Sequence, residues 1–175
     1  MNSNIKALAH IASKKSRSII GLMSGTSLDG LDVALCKISG HGTSTKIKLE
    51  KFHTVPYEEA TKKRIQEVFA KQQVNFQHLC ELNAWIGTLH GKLVLRCLQR
   101  WKIRSSSVDI IASHGQTVFH SPQSVTHGAQ IDSTFQAGDG DHVAVQSGIV
   151  TFSDFRQKHI AGGGEGAPLA VYGDY

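Results

Sequence analysis

The sequence predicts an α/β lobe, with antiparallel strands opening the chain and a buried, parallel-type strand following two helices. Three observations carry that reading. Two short apolar runs flank a segment of turn formers near the amino terminus, an apolar stripe recurs at spacings of three and four over residues 76–101, and a β-branched run at residues 108–112 leads into small polar residues.

Residues 18–23 (Ser-Ile-Ile-Gly-Leu-Met) and 31–38 (Leu-Asp-Val-Ala-Leu-Cys-Lys-Ile) are the two apolar runs, and the turn formers of residues 24–30 between them make a β-hairpin. Residues 46–55 supply a third strand, ended by Pro56 because proline gives no ladder donor. Over residues 57–71, Ile65, Val68 and Phe69 share one face and Glu58, Glu59, Lys62, Lys63 and Arg64 lie largely on the other, which predicts an amphipathic helix. Asn75 then caps a longer helix. Its stripe of Phe76, Leu79, Leu82, Ile86, Leu89, Leu93, Cys97 and Trp101 runs to about residue 101 and belongs to the core. Residues 108–112 read as a buried parallel strand and 113–117 as a polar loop at its carboxyl end, the usual place for function in α/β sheets. A strand at 134–137, a short helix at 141–147 and a last strand at 149–153 follow, and residues 167–172 resemble the start of another element.

The 175 residues suffice for one domain with a real core, and 17 glycines against 3 prolines indicate tight turns, not disorder. A net charge of +5 favours anionic ligands without choosing among them. Much of the excess sits early: Lys6, Lys14, Lys15 and Arg17 precede the first acidic residue, Asp29. Residues 1–17 therefore read as a solvated basic extension and 18–175 as the lobe. The apolar run at 7–12 is too short for a signal peptide and no stretch reaches membrane-spanning length, so a cytoplasmic protein is expected. Cys36, Cys80 and Cys97, odd in number and widely spaced, are expected as buried, reduced thiols. Ten histidines contain no His-Glu-x-x-His pair, so no histidine metal site is expected.

The segment Gly25-Thr26-Ser27-Leu28-Asp29-Gly30-Leu31-Asp32 sits at the hairpin tip, and its residue types suit phosphate. The glycines permit close backbone approach, Thr26 and Ser27 offer donors, and Asp29 or Asp32 can hold magnesium through water. A plain hairpin turn would carry the same Asp-Gly signal, and no Gly-Lys-Ser or Gly-Lys-Thr follows as in a Walker loop. His114, Gln116 and Thr117 could hydrogen-bond a sugar, or serve a structural turn. Asp139 could equally cap a helix. Arg156 could reach a carboxylate or phosphate, or pair with Asp154. The glycine-rich run 162–166 either lets backbone approach a ligand or is simply flexible.

Residues 21–32, Gly-Leu-Met-Ser-Gly-Thr-Ser-Leu-Asp-Gly-Leu-Asp, closely resemble the opening motif of the anhydro-N-acetylmuramic acid kinases. Three later blocks agree in order and spacing: Ser113-His114-Gly115-Gln116-Thr117-Val118-Phe119-His120, then Gln136-Ala137-Gly138-Asp139, then Asp154-Phe155-Arg156 with Gly163-Gly164-Glu165-Gly166-Ala167-Pro168-Leu169. The resemblance runs from about residue 20 to residue 175 and implies the actin-like ATPase and sugar-kinase (ribonuclease H-like) fold, truncated after its first lobe. It assigns Gly25 to Asp32 to ATP, and Ser24, His114, Gln116, Thr117, Asp139, Arg156 and Glu165 to the substrate. The family usually has glutamine where Glu165 stands, and a carboxylate there accepts hydrogen bonds without donating them.

The implied reaction opens a 1,6-anhydro sugar ring with water and transfers the ATP γ-phosphoryl group to the freed 6-oxygen, with Mg2+ as cofactor. By resemblance the base is an aspartate in a downstream Asp-Thr-Gly-Pro-Gly-Asn segment, and no such segment occurs in these 175 residues. No catalytic residue is thus expected in this chain, which should be inactive alone. The implied partners are ATP and an amino sugar, not nucleic acid or membrane. A helix stripe left uncovered by the second lobe could promote a homodimer. A non-catalytic phosphate- or sugar-binding lobe and another actin-like sugar kinase are the alternatives.

Overall fold

The computed structural model describes residues 3–167. Strands β1 (Ser16–Ser24), β2 (Gly30–Ser39) and β3 (Lys46–Pro56) form an antiparallel meander. Helices α2 (Glu59–Gln66) and α3 (Phe76–Trp101) follow, after which β4 (Ile110–Ser121) returns parallel to β1. Strand β5 (Ser133–Ala137) runs antiparallel to the second half of β4, helix α4 (Gly140–Ser147) crosses back, and β6 (Thr151–Phe152) lies parallel to its first half. The order is β3-β2-β1-β4-β5, with β6 beside β4. Helix α5 (Phe155–Ala161) closes the described chain.

One face of the sheet carries the core. Ile20 and Leu22, Leu31, Val33 and Leu35, and Ile111 pack against Leu82, Ile86, Leu93, Val94 and Cys97 of α3, with Ile65 and Val68 filling the side. The alternation along β1 follows from strand period two: Ser18, Ile20, Leu22 and Ser24 are buried, and the residues between them face the other way. That second face holds a row across five strands, Phe52, Ala34, Gly21, Ala112 and Phe152, paired strand to strand. Its ends are exposed phenylalanines and its middle is small residues.

Several expected boundaries move. The amphipathic helix expected over 57–71 occupies only Glu59–Gln66, because turns follow and Ala70, at φ 55°, gives its amide to the Val118 carbonyl of β4. Residues 113–117, expected as a loop, are strand, since β4 continues to Ser121 through its pairing with β5. The run expected as strand at 149–153 shortens to β6, and α5 carries no apolar period that would have announced it. Asn75 caps α3 as expected, its Oδ1 accepting the His78 amide at 3.0 Å.

The basic extension is exposed from Ile5 to His10, but it is a helix, α1 (Ser3–Ser13), and not a loose arm. Arg17, already in β1, donates from Nε to the Ile11 carbonyl, and Lys14 meets the Asp109 carboxylate at 2.5 Å. Of the cysteines, only Cys97 is buried, Cys36 is half-buried and Cys80 is exposed, and all three are free thiols. The α3 stripe is covered from Leu79 onward while Phe76 at its start is exposed, and the sheet exposes Ile47, Leu49, Phe52 and Phe152. Residues 168–172, where a further element was expected, lie outside the described residues.

Candidate functional site

The hairpin tip is anchored at both ends and exposed between them. Gly25 and Gly30 bracket it, with Thr26, Ser27 and Asp29 in solvent and Leu28 buried. Leu28 takes φ 55°, a left-handed conformation uncommon for a bulky residue, and its side chain plugs into the core. Leu31 is fully buried, backbone included, so a ligand at the tip would reach at most the small exposed part of Leu28. At Gly30 a Cβ would stand 2.3 Å from the Val55 carbonyl oxygen, so only glycine lets β2 approach β3 here. Asp29 accepts the Ser27 hydroxyl at 2.7 Å, the main cause holding its carboxyl below the ordinary value. Its carbonyl receives the Tyr57 amide at 3.0 Å.

Beneath the tip lies a buried polar chain. Gln116 donates its amide to the Gly25 carbonyl (2.8 Å) and the Thr117 carbonyl (3.0 Å). Its Oε1 accepts the Ser24 hydroxyl at 2.5 Å, Ser24 Oγ lies 2.8 Å from Tyr57 Oη, and Tyr57 Oη lies 2.7 Å from His90 Nε2. Ser24 Oγ is also 3.1 Å from the Gly30 carbonyl oxygen. Burial pushes the Tyr57 phenol above its ordinary value, and burial, then the neighbouring His114 imidazole, pushes His90 down to about 3. Ser24, Gln116 and Thr117, assigned to the substrate from sequence, all face inward here.

The open face of the sheet forms a largely apolar cleft of about 880 Å³, floored by Gly21, Ala34 and Ala112 and walled by Phe52 and Phe155. Three of the sequence-predicted polar residues reach it: Asp32, His114 and Arg156. Arg156 Nε donates to His114 Nε2 at 2.7 Å, and His114 Nδ1 donates to the Gly115 carbonyl at 3.0 Å. Both imidazole nitrogens are committed, so the ring is neutral and orients the guanidinium. Burial holds His114 below the ordinary imidazole value, the Gly115 hydrogen bond opposes this, and the Arg156 charge adds to it. Asp32 accepts the Thr54 hydroxyl at 2.5 Å.

The other candidates lie apart from the cleft lining. Asp139 is the cap of α4, its Oδ1 accepting the Asp141 amide at 2.9 Å. Glu165 is exposed in the glycine-rich turn after α5. Arg156 pairs with His114, and not with Asp154 as in the duller expectation. Sequence reasoning missed Tyr57 and His90. His90 lies one turn beyond Ile86 on the apolar stripe of α3, and a histidine there must find a buried partner.

A family model for anhydro-N-acetylmuramic acid kinase matches residues 17–174. The chain belongs to that family. It is 58% identical over 177 residues to the anhydro-N-acetylmuramic acid kinase of Pseudoalteromonas atlantica, which covers 100% of this chain and 44% of the relative. The kinase of the same name from Caldanaerobacter subterraneus is 40% identical over 169 residues, covering 96% of this chain and 43% of the relative. That from Bacillus cereus is 39% identical over 156 residues, covering 89% and 40%. The chain thus spans less than half the length of these curated relatives. Membership places the six-stranded mixed sheet and its helices in the sugar-kinase and actin-like ATPase class. Among the described residues no helix is long and apolar enough to cross a membrane, and no group of three or more His, Cys, Asp and Glu side chains could hold a metal ion.

Proposed function

We propose that this chain is the amino-terminal, nucleotide-binding portion of an ATP-dependent kinase that opens 1,6-anhydro-N-acetylmuramic acid with water and phosphorylates its 6-oxygen, in the cytoplasmic recycling of cell-wall sugars. The observation that carries this is the convergence of Asp32, His114 and Arg156 on one cleft beside an anchored, glycine-bracketed hairpin, in a chain of this family.

In this reading residues 25–32 hold the ATP phosphates: Gly25 and Gly30 set the backbone, Thr26 and Ser27 expose hydroxyls, and the buried side chains of Leu28 and Leu31 anchor the loop to the core. Magnesium would supply charge neutralisation at those phosphates. It would travel with the nucleotide and touch the protein through water, at Asp29 or Asp32, of which Asp32 faces the cleft. Arg156 has two terminal guanidinium nitrogens not spent on His114, and these suit the lactyl carboxylate of the sugar or a phosphate. His114 acts on the sugar through Arg156. The apolar walls exclude water and strengthen that charge contact. Residues 18–175 form the lobe, residues 1–17 precede it, and the aspartate base belongs to sequence downstream of this chain.

The test is ATP-dependent phosphorylation of 1,6-anhydro-N-acetylmuramic acid by this chain and by one extended to the length of the relatives. The short chain should give no turnover and the extended one robust turnover. Turnover by the short chain would refute the downstream base, and none by the extended chain would refute the activity.

A further inference from the structure

One proton order satisfies the close contacts along the buried chain from His90 to Gln116. Gln116 spends both amide hydrogens on carbonyls, of Gly25 and Thr117, so its oxygen faces Ser24 and must accept. Serine has a single proton, and the 2.5 Å contact places it toward Gln116 rather than toward the Gly30 carbonyl at 3.1 Å. Ser24 Oγ therefore accepts from Tyr57, which leaves Tyr57 Oη to accept from His90 Nε2–H. With Nε2 carrying the proton, His90 Nδ1 is a bare lone pair, and it is indeed buried without a partner. The chain is a one-way series, each member donating to the next, from His90 on α3 through Tyr57 and Ser24 to Gln116 on β4.

We infer that Tyr57 and His90 are positioning residues for the hairpin tip: their hydrogen bonds fix Ser24 and Gln116, and through them the Gly25 carbonyl at the start of the tip. The Tyr57 backbone fixes the other end through the Asp29 carbonyl. One residue thus grips the tip from both sides, by its amide and by its phenol. Neither Tyr57 nor His90 reaches the solvent where a nucleotide would sit, so they act on the ligand only through the backbone they hold. This inference rests on the reading of the tip as the phosphate loop.

Backbone 15N relaxation of this chain, with and without Mg·ATP, tests it. In the parent the amides of residues 25–30 should be rigid, with order parameters near about 0.85, and Tyr57→Phe should drop them below about 0.6 while Ile20 and Ile111 stay rigid. The Mg·ATP dissociation constant read from the tip amides should rise about tenfold, the scale of one lost buried hydrogen bond with its partner orphaned. His90→Leu should behave like Tyr57→Phe, whereas His90→Gln, which keeps an N–H donor, should remain near the parent. A tip as rigid in Tyr57→Phe as in the parent overturns the inference. So does equal loosening of tip and core, or a His90→Gln variant as mobile as His90→Leu. If the mobility pattern holds but Mg·ATP leaves the parent's tip amides unmoved, the positioning stands and the phosphate reading falls.

Discussion

Acid should destabilise this lobe in large part through the His90 imidazole. His90 is fully buried and neutral, with its folded-state pKa near 3 against an ordinary value of about 6.5. In the pH range between these values the unfolded chain binds a proton at His90 and the folded chain does not, so stability must fall as pH drops through 6.5 and keep falling toward 3. The slope for one proton is about 1.4 kcal/mol per pH unit, so at pH 5 the loss from this residue alone is about 2 kcal/mol. That is a large share of the stability of an ordinary domain. Urea unfolding at pH 7.5, 6.5, 5.5 and 5 measures it, and His90→Gln isolates it, because glutamine donates the same hydrogen bond and does not titrate. The parent should lose about 2 kcal/mol more than His90→Gln between pH 7.5 and 5. Equal losses in the two proteins would show that His90 is not the buried neutral group inferred from the geometry.

Two further outcomes follow from close contacts. Gly30→Ala puts a methyl 2.3 Å from the Val55 carbonyl oxygen and 2.9 Å from the Pro56 Cα, both backbone, so the urea midpoint should fall by the equivalent of about 1–3 kcal/mol; an unchanged midpoint would mean that β2 and β3 are not this close. In a chain extended to the length of the relatives, Arg156→Ala should raise KM for the anhydro sugar by about 10- to 100-fold, the worth of a charged hydrogen bond, with KM for ATP little changed. Arg156→Lys should not restore it, since lysine lacks the planar fork that holds His114 and a carboxylate together.

What the sequence made legible was local. The tip declares itself by Gly25, Asp29 and Gly30 between two apolar runs, and α3 by its long period and its Asn75 cap, because both signals lie within a few residues of their effect. Residues 113–117 deceived for the opposite reason. Ser, His, Gly and Gln look like a turn, and what makes them strand is pairing remote in sequence, of Ser113 and Gln116 with Leu22 and Ser24 of β1 and of Gln116 and Thr117 with Ala137 and Gln136 of β5. The irregularity inside this strand matters: His114 and Gln116, two apart, would share a face of a regular strand, but the register shift opposite Leu22 and Ser24, with Gly115 at φ 78°, turns Gln116 inward to Ser24 while His114 faces the open side with Arg156. The partnership of Tyr57, before α2, with His90, in the middle of α3, joins residues 33 apart and leaves no mark around Tyr57. Half of it was nonetheless detectable, in a histidine set among Ile86, Leu93 and Val94.

The floor of the cleft has an energetic consequence of its own. Gly21 sits inside a strand, where it costs about 1 kcal/mol relative to alanine, and a Cβ built there would find nothing within 4 Å. No described contact demands its smallness, so β1 bears this penalty without an internal return. The missing methyl leaves a bare peptide plane between Ala34 and Ala112, flanked by two phenylalanines across the row. Whatever lies in the cleft touches main chain there, at a depth that any other residue at position 21 would deny it.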